Sequence, residues 1–486
     1  MWTTAYTTRN HGYMVFDTLF GQCGEQNGFK TTPQMVAGHV IEDDGKTWKL
    51  ILREGLLFHD GQKVLASDCV ASIRRWGVRD SFGQALMQRT HEIAARDDKT
   101  VVFRLKQPFA LLPDALGHGA PTMCAIMPER IAATDPFKQV TEMVGSGPFR
   151  FKADERMPGS RFVYERFDGY RARESGASDF TAGPKIVHFD RVEWHVIPDP
   201  ATAAAALRTG EMDWWEFPTA DLLPMLRQNR IATPTINPAG QMMVLRPNHL
   251  HPPFNSPAVR RALLGAIDQG QYMTAMMGTD TSLWEVPVGF FPPISPLASD
   301  AGMSALTSPR DDAAVKQALA AAGYKGEPVV LMVATDFPIL KALGDVAADM
   351  LIRVGMNVTY QATDWGTVVQ RRTSTKPPSE GGWNMFCTGA ASLDYFSPAA
   401  HPQLRGNGKD ATFGWPTNAK IEALRDDWFN APDLAAQRQI GMEIQAEAFD
   451  NVPYYPLGLA RLPTAIRPDI VGVLEGFSLF WNVRRT

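Results

Sequence analysis

An α/β fold with more than one domain is predicted by three features of this sequence. Strand-like and helix-like stretches alternate between residues 313 and 361, the order that builds a parallel sheet covered by helices. A turn-rich stretch at residues 48–76 reads instead as strands followed by a helix, and belongs to a smaller α+β module. The chain has 486 residues, 44% hydrophobic and 21% charged, enough for two or three domains each with its own core. A net charge of −4 gives no general basic field and argues against nucleic acid as a partner. No stretch approaches the roughly eighteen consecutive apolar residues of a membrane span. The first residues, Met1-Trp2-Thr3-Thr4-Ala5-Tyr6, have neither the basic start nor the apolar core of a signal peptide.

The stretch 48–76 is the most informative. Residues 48–53 alternate as a half-buried strand, Glu54-Gly55 turns, and His59-Asp60-Gly61 makes a second turn where Gly supplies positive φ, so two strands are joined tightly. Ser67 or Asp68 then caps a helix with Cys69, Val70, Ile73 and Trp76 at helical spacing.

Taken in order, residues 9–21 read as a helix with Asn10 as its cap. Thr100–Leu105 is a strand closed by Pro108. Gly145-Ser146-Gly147-Pro148 is a turn where the chain leaves the small module, and a strand follows it. A phosphate-cradling loop would be followed by Lys-Ser/Thr and a helix, and neither is present. Strands are expected at 164–170 and 187–197, then an Ala-rich helix over Pro200–Thr209 ending at Gly210. Ser256 caps a helix with Pro257 at its first position and Val259, Ala262, Leu263 and Ala266 on its buried stripe. The Pro-rich run 286–296 is an irregular crossing. Beyond it come a helix to 322 stopped by Gly323, a strand over Pro328–Ala334, a helix at 340–354 stopped by Gly355, and a strand at 357–361.

No catalytic constellation stands out. His249 and His251 lie two apart on a Pro-flanked loop, which is not zincin spacing, and HExxH, GxSxG and Walker motifs are missing. Cys23, Cys69, Cys124 and Cys387 lie far apart without a CxxC pair; they read as buried thiols, with one long-range disulfide as the alternative. No cofactor or metal is expected. Trp365, Trp383, Tyr395, Phe396, Trp415 and Trp428 fall close together, either as core or as flat apolar surface for a ligand.

Within 48–76, Arg53, Gly55, Phe58, Asp60, Gly61, Ala66 and Asp68 stand where the family 5 extracellular solute-binding proteins have their signature, with Cys69 in place of the usual Val. The stretches 145–151, 202–214 and 254–268 also resemble that family, whose members are receptors of ABC importers for peptides, nickel and oligosaccharides. The resemblance implies a bilobal periplasmic-binding-protein fold with an extra small α+β module in its first lobe. Residues 1–30, 145–245 and 470–486 are then lobe I, 31–144 the module and 246–469 lobe II, with crossings near 242–247 and 455–470. It further implies a monomeric, exported, non-enzymatic receptor whose chain starts after an export signal. The receptor would close on a peptide or peptide-like solute between its lobes and hand it to membrane permease subunits. A nickel-chelate or oligosaccharide receptor, or a hydrolase or sensor built on the same fold, are the alternatives.

The same resemblance implies the site. Residues 364–372 are similar to the segment that supplies a pocket Trp and, seven residues on, an Arg for a ligand carboxylate, here Trp365 and Arg372, with Arg371 as neighbour and substitute. Residues 383–398 are similar to the strand and loop that line the ligand site, bringing in Cys387, Gly389, Ala390, Asp394 and Tyr395. Asp394 stands on the loop that carries the family's amine-binding Asp, one position displaced; the alternative is a turn-capping residue. Ala390 and Tyr395 stand where many relatives have Trp after the Gly and Pro after the Asp. Gln241 and Tyr455 complete the expected lining, with Thr4 and Tyr6 on an extended arm beside the ligand backbone.

Overall fold

The computed structural model describes residues 6–486, with side chains from Arg9 onward. The chain divides into two compact units, one made of the residues up to Pro218 with Met225–Pro238 and Pro463–Thr486, the other of Thr219–Pro224 with Ala239–Leu462. The boundary expected at 245/246 falls inside a strand, Gln241–Pro247, that pairs on both sides within the second unit.

In the first unit, strands Val36–Glu42, Thr47–Leu52, Thr100–Leu105 and Thr90–Ala95 form an antiparallel sheet in that order. Alternation decides which way the second of these faces: Trp48, Leu50 and Leu52 are buried while Lys49 and Ile51 point outward. The expected partner strand after Glu54-Gly55 does not form. Leu56, Phe58 and Val64 are instead buried around a tight turn with a single bridge, Leu57 to Lys63, because these side chains plug the module's core. Gly55 and Gly61 both have positive φ, as the turns require.

The helix that follows spans Ala66–Arg79 and buries Cys69, Val70, Ile73 and Trp76. Its cap position is Leu65, so neither Ser67 nor Asp68 is the cap. Asp68 sits in the first turn, and its carboxylate accepts from the Leu65 and Glu129 amides, both at 2.8 Å. The N-terminal helix is Tyr6–Val15, earlier than predicted, because residues 20–22 pair as a strand with Thr31–Pro33. Asn10 lies inside it and donates to Glu216 at 2.6 Å.

Gly145 and Gly147 owe their identity to close approach rather than to positive φ. A Cβ on Gly145 would lie 2.2 Å from the Val15 carbonyl oxygen, and the Gly147 amide donates to that oxygen at 2.8 Å. His59 is held there as a neutral imidazole: Nε2 lies 3.0 Å from the Gly147 carbonyl, and Nδ1 accepts from the Gly145 amide at 3.4 Å. Burial pushes its pKa down to about 4. The unfolded chain therefore takes up this proton first, so the stability His59 contributes is present above pH 6.5 and lost as pH falls toward 4. His59→Gln should remove about 3 kcal/mol of that acid-side loss at most, read from unfolding midpoints across this range. Identical pH slopes in parent and variant would dismiss the assignment.

Phe149–Phe151, Arg161–Arg166 and Arg191–His195 form a second antiparallel sheet. The helix Pro200–Thr209 is capped by Asp199 and ends at Gly210, which has φ +81. At the unit's centre Lys185 and Asp17 form a buried ion pair, 2.7 Å long.

The second unit is built on a six-stranded sheet in the order Trp284–Glu285, Tyr455–Ala460, Gln241–Pro247, Met385–Ala391, Pro328–Ala334, Asn357–Thr363. The sheet is mixed rather than parallel. Pro328–Ala334 runs parallel to both its neighbours, whereas Gln241–Pro247 runs antiparallel to both of its own. The helices that alternate with these strands, Asp312–Ala321 and Pro338–Arg353, stop before Gly323 and Gly355, both at positive φ. Ser256 caps Pro257–Leu264 as predicted. None of the four cysteines is paired.

Candidate ligand-binding site

Several of the expected site residues lie in the second unit, on its central strands, on the turn Ser392–Tyr395 and on the helix Trp365–Arg371. The helix Trp365–Arg371 is capped by Asp364, whose carboxylate accepts from the Thr367 amide at 2.9 Å. Residues seven apart lie two turns along one helical face, so Trp365 and Arg372 share a side, and the guanidinium carbon lies 5.9 Å from the Trp365 ring. Phe413 lies closer against it, at 4.8 Å.

The two neighbouring arginines differ in what they contact. Arg371 donates from Nε to the Gly381 carbonyl at 2.7 Å and from Nη2 to the Gly382 carbonyl at 2.6 Å, which closes the following turn. Gly382 has no room for a side chain, since a Cβ would lie 1.9 Å from the Lys376 carbonyl oxygen. Among the described residues the Arg372 guanidinium has neither a hydrogen bond nor an ion pair, and its Nε is buried. Burial alone holds its pKa down, to about 10. A guanidinium that burial keeps partly from water beside two aromatic rings favours an anion.

Strand pairing places the other lining residues. Gln241 stands opposite Ala391 and Ala460, Met242 opposite Ala390, and Met243 opposite Gly389. Gly389 makes room for Met243, whose sulfur would lie 2.6 Å from an added Cβ. Cys387 faces Leu245 in the buried strand, and burial pushes its thiol well up. Asp394 follows on the turn Ser392–Tyr395 and is 6% exposed. Tyr395 is buried against His401, their rings 4.5 Å apart.

Tyr455 is core: fully buried, it donates its hydroxyl to the Arg260 carbonyl at 3.1 Å. Trp383, Trp415 and Trp428 are core as well, while Trp365 and Phe396 keep part of their surface open. Tyr6 lies in a helix rather than an extended arm, and its side chain, like Thr4, lies outside the described residues. His249 and His251 contact the carbonyls of Pro453 and Thr375.

Sequence reasoning missed Arg246, on Gln241–Pro247, which is 2% exposed and donates to Gln403 Oε1 at 3.3 Å and to the Phe413 carbonyl. The signal was available: one charge directly after the apolar run Met242-Met243-Val244-Leu245, within the same central strand.

The pattern of "Bacterial extracellular solute-binding proteins, family 5 Middle" matches residues 30–411. The chain belongs to this family. Among its relatives, a "Probable peptide ABC transporter periplasmic-binding protein" of Sinorhizobium fredii is 36% identical over 99% of this chain and 90% of its own. A glutathione-binding protein of Pectobacterium atrosepticum is 26% identical over 93% and 85%. The fold of a dipeptide-binding protein from Pseudoalteromonas sp. SM9913, solved with Met-Leu, superposes with a TM-score of 0.79 at 18% identity, covering 100% of this chain and 97% of that one. A binding protein from A. tumefaciens R10 in complex with agropinic acid gives 0.79 at 20%, over 98% and 94%. This family 5 protein thus has the mixed α/β architecture of the periplasmic binding proteins. Among the described residues no helix is long and apolar enough to cross a membrane.

Proposed function

We propose that this chain is the receptor of an ABC importer for a peptide or peptide-like solute, which it captures and passes to the membrane permease without chemical change. The observation that carries the reading is the Arg372 guanidinium, which lies near the Trp365 and Phe413 rings and, among the described residues, has no acid against it. Such a group suits the C-terminal carboxylate that all peptides share. The relatives' names support the same ligand class. Asp394, buried on the turn beyond Ala391, is the proposed partner of the ligand's terminal amine, which loses its water on capture.

Incubation with a dipeptide library, followed by mass, should show depletion onto the protein without new products; steady cleavage would remove the reading. Asp394→Asn should weaken a free-amine dipeptide about tenfold or more in calorimetry, with its N-acetylated analogue unchanged. Equal binding of both ligands by parent and variant would leave Asp394 a turn residue only.

A further inference from the structure

The neighbourhood of Arg372 holds a second cation that peptide recognition alone does not call for. Arg246 lies behind Phe413: it donates to the Phe413 carbonyl while the Phe413 ring lies against Arg372. Its electrostatic neighbours are Tyr395, Tyr454 and Arg372, and no carboxylate is among them. Arg372 in turn feels no acidic side chain. Among the described residues neither arginine makes an ion pair. Burial, with Arg372 as a further cause, pushes the Arg246 pKa down to about 10. Two like charges, one buried and one partly so, repel one another, and among the described residues the fold pairs neither with an acid.

We infer that Arg246 and Arg372 form a doubly cationic site that selects an acidic ligand, one with a second carboxylate beside the group that Arg372 takes. The inference rests on the solute-receptor reading and names its substrate class. Arg372 touches the ligand. Arg246, 2% exposed, acts through its field across the low-dielectric Phe413 segment, as a positioning and specificity residue. Its two hydrogen bonds, to Gln403 and Phe413, hold the charge in place.

The test is a ratio of affinities measured within one protein, which a merely weakened fold leaves unmoved. Calorimetry would use two matched pairs, Ala-Glu against Ala-Gln, and glutarate against its monoamide. The parent should favour the acidic member of a pair about tenfold or more. Arg246→Lys, which keeps the charge, should stay within about threefold of the parent's ratio, whereas Arg246→Met should bring it close to one. A parent ratio near one, an unchanged ratio in Arg246→Met, or no binding of any of the four compounds overturns the inference. The parent's ratio alone decides the matter if Arg246→Met does not fold. Acid preference confined to the glutarate pair keeps the doubly cationic site and removes the peptide reading. Dipeptide binding without acid preference does the reverse.

Discussion

Arg372→Met should weaken binding of a dipeptide by roughly a hundredfold and leave the unliganded protein no less stable than the parent. The binding loss follows from removing one partner of a desolvated charge pair, worth about 2–5 kcal/mol, with each 1.4 kcal/mol a factor of ten. The unchanged stability follows from the missing protein partner: in the free receptor the guanidinium is partly buried near the Trp365 and Phe413 rings and, among the described residues, makes no hydrogen bond or ion pair. Methionine fills much of the same space and removes a charge whose desolvation nothing repays. Arg371→Met should do the opposite. It loses the bonds to the Gly381 and Gly382 carbonyls and should cost about 1–3 kcal/mol of stability. Calorimetry and denaturant titration of the two variants separate the roles. An Arg372→Met protein that binds as tightly as the parent, or is clearly less stable, would show that Arg372 is structural.

Lys185→Met should destabilise the first unit by about 3–5 kcal/mol, because it strands a buried charge. The Lys185 and Asp17 side chains are 0% and 1% exposed and meet at 2.7 Å. Asp17 also accepts from the Tyr170 hydroxyl at 2.9 Å and the Thr18 amide at 3.0 Å, and Nζ lies 4.8 Å from the centre of the Trp481 ring. These donors remain in the variant, but the positive charge that offsets the carboxylate does not. Adding Asp17→Asn should restore much of the loss, since an amide in place of the carboxylate leaves no buried charge. The check is a double-mutant cycle by denaturant unfolding. A single-variant loss under about 1 kcal/mol, or no recovery in the double variant, would mean the pair does not hold this unit together.

What could be read in the sequence was set by neighbours within a few residues. The strands Thr100–Leu105 and Pro328–Ala334, and the helix Pro200–Thr209 ended by Gly210, follow from alternation, capping and the conformational freedom of Gly. The pair Trp365 and Arg372 came instead from the family resemblance, and the helix Trp365–Arg371 places both on a shared face. The family signature around Asp60 and Gly61 could be read for the same reason: it is a short, contiguous text.

Contacts between residues far apart in sequence decided the rest. Asp68 sits in the first turn behind the Leu65 cap, and its second carboxylate oxygen is taken by the amide of Glu129, sixty-one residues on. Gly145 and Gly147 looked like turn residues, but the backbone of Val15 leaves them no space for a Cβ. The alternation beyond 313 pointed to a parallel sheet, yet Gln241–Pro247 inserts antiparallel between two strands that lie far along the chain. Arg371 and Arg372 are identical in type and adjacent, so no local rule separates them. The turn carrying Gly381 and Gly382 takes one, and the other lies against the Phe413 ring. The sequence by itself determined many of the elements, the Ser256 cap, the glycine stops and the family signature, because those depend on bonded neighbours and periodicity. Only the tertiary structure decided which charges are paired and which are left desolvated and unpaired, because that depends on what the folded chain brings within a few ångströms.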